Sequence, residues 1–264
     1  MILYTNGCSF TRGHGEVHNT EGQLNPPAKY VWANQIRNHF DDVIISALAG
    51  GSNDRILRTT MEYFSKPRQN HVAVIQWTSP LRYEVYVDLV KDWAGVCNLS
   101  QTNLTQSVKE QSKNSKYNVH FDNGKYISKF KKTTAYKNFI SAAENQTLFV
   151  KSFNDMFIQY YKNVFLLENF LKQKNIPFMF TSMSYFGHLG SNPNGISFDD
   201  IDNRPTKYEL NLKKSLDLSL WSQQPFTFYM GKNRVSATDG HPNKLGHKLI
   251  GDAILREMKQ RGML

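Results

Sequence analysis

Four short apolar runs, separated by stretches with helical spacing, constrain the fold of this chain more strongly than any other feature. Each run is rich in β-branched or aromatic residues and is closely followed by glycine, serine or threonine, which is typical of buried strands. Strands that alternate with helices indicate a parallel sheet with both faces covered. Right-handed crossovers then give an α/β fold, a doubly wound three-layer α/β/α sandwich. The runs lie at 2–6, 43–48, 71–77 and 176–183.

The intervening segments place apolar residues three or four positions apart, and this spacing predicts helices near 30–40, 53–64, 152–172 and 207–221. The sequence "FTFYM" at 226–230 predicts a fifth strand. A last helix is expected to start near Pro242. Its apolar stripe would consist of Leu245, Leu249, Ile250 and Ile254.

The length of 264 residues and the 40% hydrophobic content are enough for the core of one sizeable domain and too little for two independent cores. We therefore expect a single domain over 1–264. Two polar stretches with weak periodicity, at about 90–148 and 184–206, are interpreted as insertions. Asn123-Gly124 predicts a hairpin turn within the first of them.

The positive charge is concentrated in the first insertion. The chain has a net charge of +10, and eight lysines lie between Lys109 and Lys137 with only Glu110 and Asp122 to oppose them. A basic stretch with interspersed aromatic residues can hold nucleic acid. We favour a solvated, lysine-rich insertion, and nucleic acid is not expected as the main partner.

The lack of long apolar segments and the low number of cysteines indicate the cellular compartment in which the protein is found. No apolar run is long enough to cross a bilayer, and the N-terminal sequence does not have the pattern of a secretory signal. Two cysteines, Cys8 and Cys97, suit a reduced compartment without a disulfide framework. These observations predict a cytoplasmic protein.

Three turns that are distant in sequence should meet at one edge of the sheet. The sequences "NGCSFTRG" (6–13), "AGGSND" (49–54) and "WTSPLR" (77–82) each follow a predicted strand. In doubly wound folds the ligand crevice lies at the carboxyl ends of the strands. In the first turn either Cys8 or Ser9 can serve as a nucleophile.

These turns, together with the terminal sequence "DGHPNKLGH", resemble the SGNH (GDSL-type) hydrolases. The resemblance follows most of the chain in order, and "GCSFT" in place of Gly-Asp-Ser resembles a subset found in bacteria and bacteriophages. It implies a flavodoxin-like α/β/α sandwich and ester hydrolysis with no cofactor and no metal. A small-molecule or glycan ester would be the substrate.

The resemblance also implies roles for individual residues. Ser9 would be the nucleophile, His241 the base, and Asp239 the residue that orients the imidazole. The oxyanion hole would use backbone N–H groups of Ser9 and of Gly50 or Gly51, with Asn53 as the side-chain donor. Without the resemblance, Ser9 or Asp239 could instead cap a helix.

The chain departs from the family pattern at two positions. The family spacing Asp-x-x-His is here Asp239-Gly240-His241, and no asparagine follows the third strand. Asn53 from the second loop, or Thr78 or Ser79, would then complete the oxyanion hole, unless the hole is incomplete. Thr78 and Arg82 are candidate substrate-binding residues, since Arg82 can bind a carboxylate or phosphate and can equally form an ion pair.

The spacing of His14, Glu16 and His18 would suit a metal on a strand, but the surrounding glycines predict a loop without one. His247 lies within the last predicted helix and is interpreted as structural. The sequence thus favours an SGNH-type serine esterase, with an O-acyl group on a carbohydrate as one candidate substrate. The alternatives are a glycan-binding module on the same fold and a nucleic-acid-associated protein that uses Lys109–Lys137.

Overall fold

The structure is a computed structural model, which describes residues 1–13, 29–80, 82–87, 92–98, 117–121, 133–145, 153–184, 188–189, 207–236 and 240–264. Seven strands are described: β1 (Ile2–Asn6), β2 (Asp42–Ile45), β3 (His71–Trp77), β4 (Tyr83–Val87), β5 (Asp92–Asn98), β6 (Tyr117–Phe121) and β7 (Phe178–Ser182). The α-helices within these ranges are α1 (Ser9–Arg12), α2 (Trp32–Gln35), α3 (Asn53–Ser65), α4 (Thr134–Asn145), α5 (Phe153–Gln173), α6 (Lys207–Lys214), α7 (Phe226–Met230) and α8 (Lys244–Gln260). Short 3₁₀ helices occupy Arg37–His39 and Leu218–Leu220.

The central sheet is parallel throughout, with strand order β2-β1-β3-β7. The last residues of β1 pair with both neighbouring strands, Thr5 with Ile45 at the end of β2 and Asn6 with Ile75, two residues before the end of β3. The carboxyl ends of the strands therefore meet along one edge, and the order is that of a doubly wound flavodoxin-like sheet.

Side chains that alternate along each strand supply two separate hydrophobic cores. On one face, Tyr4, Ile75 and Phe180 pack with residues of α3 and α5. On the other face, Leu3 and Val74 pack with residues of α2 and α8. Because both faces are covered by helices, the predicted three-layer α/β/α arrangement is confirmed.

The predicted fifth strand at 226–230 is wrong, because this segment forms helix α7. Alternation would bury residue 228 together with its neighbours at 226 and 230. Instead Phe226 and Met230, four positions apart, are buried, while Phe228 is 54% exposed. Gly231, with φ of 57°, ends the helix.

The last helix starts at Lys244, two residues after Pro242 and close to the predicted start, and Asn243 is its N-cap. The predicted apolar stripe is only half correct. Ile250 and Ile254 are fully buried, whereas Leu245 and Leu249 are 51% and 36% exposed.

A second, antiparallel sheet of order β4-β5-β6 follows the third parallel strand. It is attached to α3 through Glu84, whose carboxylate receives two hydrogen bonds from Arg58 at 2.7 and 3.0 Å. Its first strand begins at Tyr83, before the predicted start of the first insertion. The turn predicted at Asn123-Gly124 and most of 184–206 lie outside the described residues.

No helix in the described ranges combines the length and the apolar character that crossing a membrane requires.

Candidate active site

The turn after β1 is held by the buried side chain of Asn6. Its Oδ1 accepts a hydrogen bond from the Gly7 N–H at 2.8 Å, and its Nδ2 donates to Thr59 Oγ1 and Thr60 Oγ1 at 2.8 and 2.9 Å. The chain then enters α1 at Ser9. Asn6 therefore fixes this turn relative to α3.

Ser9 and His241 lie within hydrogen-bond distance although 232 positions separate them in sequence. Ser9 Oγ is 2.9 Å from His241 Nε2, and Ser9 is only 5% exposed. The Phe10 ring lies beside the imidazole, with ring centroids 5.4 Å apart. A hydroxyl and an imidazole at this distance have the geometry of a nucleophile and its base.

The segment that carries His241 is fixed by short-range backbone pairing. The Val235 N–H donates to the His241 carbonyl at 2.9 Å, and Arg234 and Pro242 form an isolated antiparallel bridge. Two residues on, the Asn243 side chain caps α8 by accepting a hydrogen bond from the Gly246 N–H at 2.9 Å. Asp239 lies outside the described residues.

Cys8, the rival candidate nucleophile, is fully buried. Its Sγ lies 3.2 Å from Gln76 Nε2 and 3.9 Å from Met183 Sδ. A thiol enclosed in this way faces the sheet rather than solvent, whereas the adjacent Ser9 faces the imidazole.

The glycine loop after β2 lies against the Ser9 turn. The Leu48 N–H donates to the Gly7 carbonyl at 3.2 Å. However, the Gly51 N–H donates a hydrogen bond to the Leu48 carbonyl at 2.9 Å. It is therefore not available to an oxyanion, which corrects the expectation that Gly51 is a donor. Gly50 has φ of 75°, and its N–H has no acceptor within the described part of the chain.

The structure likewise corrects the prediction for Asn53. Its Nδ2 donates to the carbonyls of Thr78 and Ser79 at 3.3 and 3.0 Å, and its Oδ1 accepts from the Thr78 N–H at 2.9 Å. These bonds use the amide to join the second loop to the third. The Thr78 hydroxyl itself is buried and has no hydrogen-bond partner among the described residues.

Arg82 lies on a polar cavity of about 420 Å³ between α3, α5 and β4. Asn53 and Asp54 both line this cavity. Asp54 joins the elements around it, because its carboxylate accepts hydrogen bonds from Asn163 Nδ2 at 2.8 Å and from the Glu84 N–H at 3.1 Å. Neither this cavity nor the one bordered by Lys172 and Phe178 is lined by Ser9 or His241.

Two basic groups near the site have shifted pKa values. Burial and the nearby Arg55 lower the pKa of Arg12, which donates from Nη1 to the Ala47 carbonyl at 3.3 Å. Burial, with a smaller effect from His241, lowers the pKa of His247 to about 4. His247 is fully buried, and neither of its ring nitrogens has a hydrogen-bond partner among the described residues.

Within the described ranges, no three His, Cys, Asp or Glu side chains are grouped so that they could hold a metal ion. The three residues whose spacing suggested such a site, His14, Glu16 and His18, lie outside those ranges.

Sequence reasoning missed Gln76, the buried residue of β3 whose amide touches the Ser9 turn. One signal was present, because glutamine is the polar exception near the end of the apolar run "HVAVIQW". A buried polar side chain needs partners, and such a residue is expected to hold something in place.

Several solved structures are similar to this chain, and three of them are described here by organism and likeness. The psychrotrophic esterase EstA from Pseudoalteromonas sp. is 12% identical with a TM-score of 0.45, over 100% of this chain and 99% of that one. A member of the lipolytic G-D-S-L family from Veillonella parvula is 11% identical with a TM-score of 0.40, over 98% of both chains. Phospholipase A1 from Streptomyces albidoflavus is 8% identical with a TM-score of 0.34, over 99% of this chain and 76% of that one.

No protein-family model matches the chain, and no curated protein matches it significantly. Because all three TM-scores are below 0.5, the roles of Ser9 and His241 rest on their own geometry.

Proposed function

We propose that this protein is a serine esterase in which Ser9 is the nucleophile and His241 the general base. The observation that carries the proposal is the 2.9 Å distance between Ser9 Oγ and His241 Nε2 at the carboxyl edge of the parallel sheet. A serine hydroxyl is a weak nucleophile near neutral pH, and an adjacent imidazole that accepts its proton makes it reactive.

The reaction proceeds in two balanced steps. Ser9 Oγ attacks the ester carbonyl while its proton passes to His241 Nε2; the C–O bond then breaks and the alcohol leaves with that proton. Water attacks the acyl-serine, gives a proton to the same nitrogen, and the acid leaves as Ser9 recovers its hydroxyl. Asp239, two residues before the imidazole, is proposed to orient it.

For the oxyanion we propose the N–H groups of Ser9 and Gly50 together with the Thr78 hydroxyl. Ser9 begins α1, and the first N–H groups of a helix have no acceptor within the helix. The Thr78 hydroxyl is a buried donor at the carboxyl end of β3 with no partner among the described residues. A donor held ready in this way stabilises charge that develops in the transition state.

Thr78→Val should therefore lower kcat by about 10²-fold with little change in KM, because one oxyanion donor is lost. Steady-state hydrolysis of p-nitrophenyl acetate measures this. The matched control is Thr181→Val on β7, since Thr181 is equally buried and its hydroxyl also has no partner among the described residues. Equal effects of the two substitutions would exclude the role of Thr78.

The alcohol part of the substrate is proposed to be polar, as in an O-acylated carbohydrate. The cavity bordered by Asn53 is lined by charged and amide side chains, among them Arg82, Gln159 and Lys162. Asn53 also bonds the backbone of Thr78, which connects this cavity to the proposed oxyanion donor.

Labelling with a fluorophosphonate probe tests the proposal directly. We expect the probe on the peptide that contains Ser9, in the native protein and in Cys8→Ala, and no labelling of Ser9→Ala. An acetylated sugar should slow labelling more than a long-chain acyl ester at equal concentration. An unlabelled native protein that still binds acetylated glycans would instead indicate a binding module.

A further inference from the structure

Gln76 is a fully buried amide whose hydrogen bonds converge on the turn that carries Ser9. Its Oε1 accepts from the Cys8 N–H at 3.2 Å and from Thr11 Oγ1 at 3.0 Å. Its Nε2 donates to the Trp77 carbonyl at 2.9 Å, a bond that fixes the orientation of the amide. The residues on both sides of Ser9 are thus bonded to one oxygen atom on the neighbouring strand.

The turn is packed closely against this amide. A Cβ placed on Gly7 would lie 2.6 Å from Gln76 Oε1 and 2.8 Å from Thr11 Oγ1. Both are too close for a real side chain, so glycine allows the approach. Thr11 Oγ1 also accepts from Trp32 Nε1 at 3.4 Å, and this bond extends the network to α2.

The helix that starts at Ser9 needs this external support. It has only four residues, and its N-cap Cys8 makes no side-chain capping bond. So short a helix is not stable by itself, and the position of Ser9 Oγ depends on what holds its ends. Asn6 holds the turn at Gly7, and Gln76 holds it at Cys8 and Thr11, on the two sides of Ser9.

We propose that Gln76 is a positioning residue that holds Ser9 Oγ in line with His241 by fixing residues 8 and 11. This proposal rests on the proposed function. It assigns a role in positioning Ser9 to a residue of the third strand that does not touch the substrate. A displacement of a reacting atom by about 1 Å can lower the reaction rate by about 10²-fold, so we expect the effect on kcat.

Two substitutions separate positioning from packing. Gln76→Met keeps much of the volume and removes the oxygen that accepts hydrogen bonds from the Cys8 N–H and the Thr11 O–H. Gln76→Glu keeps the acceptor and introduces a buried acid, which should destabilise the fold more. A merely structural role predicts that Gln76→Glu is the worse enzyme, whereas positioning predicts that Gln76→Met is.

For p-nitrophenyl acetate we expect kcat of Gln76→Met to fall by about 10²-fold with KM within about threefold, and Gln76→Glu to retain more of kcat. Val72→Ala is the matched control, because Val72 is equally buried at the opposite end of the same strand. It should lose stability and keep kcat. Equal kcat values for Gln76→Met and Val72→Ala, or a lower kcat for Gln76→Glu than for Gln76→Met, overturn the inference.

A second readout does not need esterase activity. Cys8 is fully buried against Gln76, so loosening the turn should expose its thiol. Iodoacetamide alkylation of Cys8, mapped by mass spectrometry, should be faster in Gln76→Met than in Val72→Ala. If the native protein hydrolyses no ester and Ser9 is not labelled, the proposed function fails, and the alkylation rates alone decide whether Gln76 holds the turn.

Discussion

Ser9→Ala is expected to lower kcat for p-nitrophenyl acetate by about 10⁴–10⁶-fold, because the reaction loses its covalent step. His241→Gln should cause a loss of similar size, since the hydroxyl at 2.9 Å loses its proton acceptor. Residues that act as one unit are not additive, so the double variant should be no slower than either single variant. Initial rates with circular dichroism of each variant provide the measurement.

Two exposed residues of the same types serve as controls for this loss. Ser65 and His39 are exposed on the surface away from the site. The variants Ser65→Ala and His39→Gln should therefore keep kcat within about twofold of the native value. Activity that survives Ser9→Ala and disappears in Cys8→Ala would transfer the nucleophile to the thiol. Activity that survives both substitutions would exclude this turn as the reaction centre.

As the pH is lowered, the fold is expected to lose stability at pH values above those that protonate its carboxylates, chiefly because of His247. Burial lowers the pKa of His247 to about 4, whereas an unfolded histidine has a pKa of about 6.5. The unfolded chain therefore binds a proton that the folded chain does not. Stability is complete above pH 6.5 and falls as the pH approaches 4, by about 3 kcal/mol for a shift of this size.

His188 should contribute in the same direction. Burial lowers its pKa to about 4 as well, and its Nδ1 lies 3.0 Å from Ser182 Oγ. It is less buried than His247, so we expect a smaller effect.

Urea unfolding at pH 7.0 and pH 5.0 measures this loss. In His247→Leu the difference between the two pH values should shrink, because the titrating group is gone and the site stays apolar. An equal difference in native protein and His247→Leu would show that His247 is not the group responsible.

The sequence was sufficient to predict the parallel strands because they are largely buried and therefore mainly apolar, as in β3, where every residue of "HVAVIQW" is buried. That the three turns lie close together in space follows from the rule that the carboxyl ends of parallel strands meet at one edge of the sheet. By contrast, "FTFYM" has five residues, too few to distinguish alternation from helical spacing, and it forms α7.

The oxyanion donors were harder to predict for a different reason. The identity of Gly51 and Asn53 shows that each has an N–H to donate, but not which carbonyl already accepts it. That depends on loop conformation, which brings the Leu48 carbonyl to Gly51 and the Thr78 carbonyl to Asn53. For the same reason a glutamine within the apolar run "HVAVIQW" indicates a polar side chain that needs partners, but not which groups it holds.

The 232 positions between Ser9 and His241 bear on when the protein can act during its synthesis. The ribosome makes the serine turn early, and β1 can pair with β2 and β3 while the rest of the chain is still unmade. The imidazole is translated far later, and α8 then docks so closely that a Cβ on Gly251 would lie 3.0 Å from the Trp32 carbonyl. A nascent chain that lacks the segment from His241 through α8 should therefore carry the serine without its proton acceptor, and hydrolysis should begin only after α8 has docked.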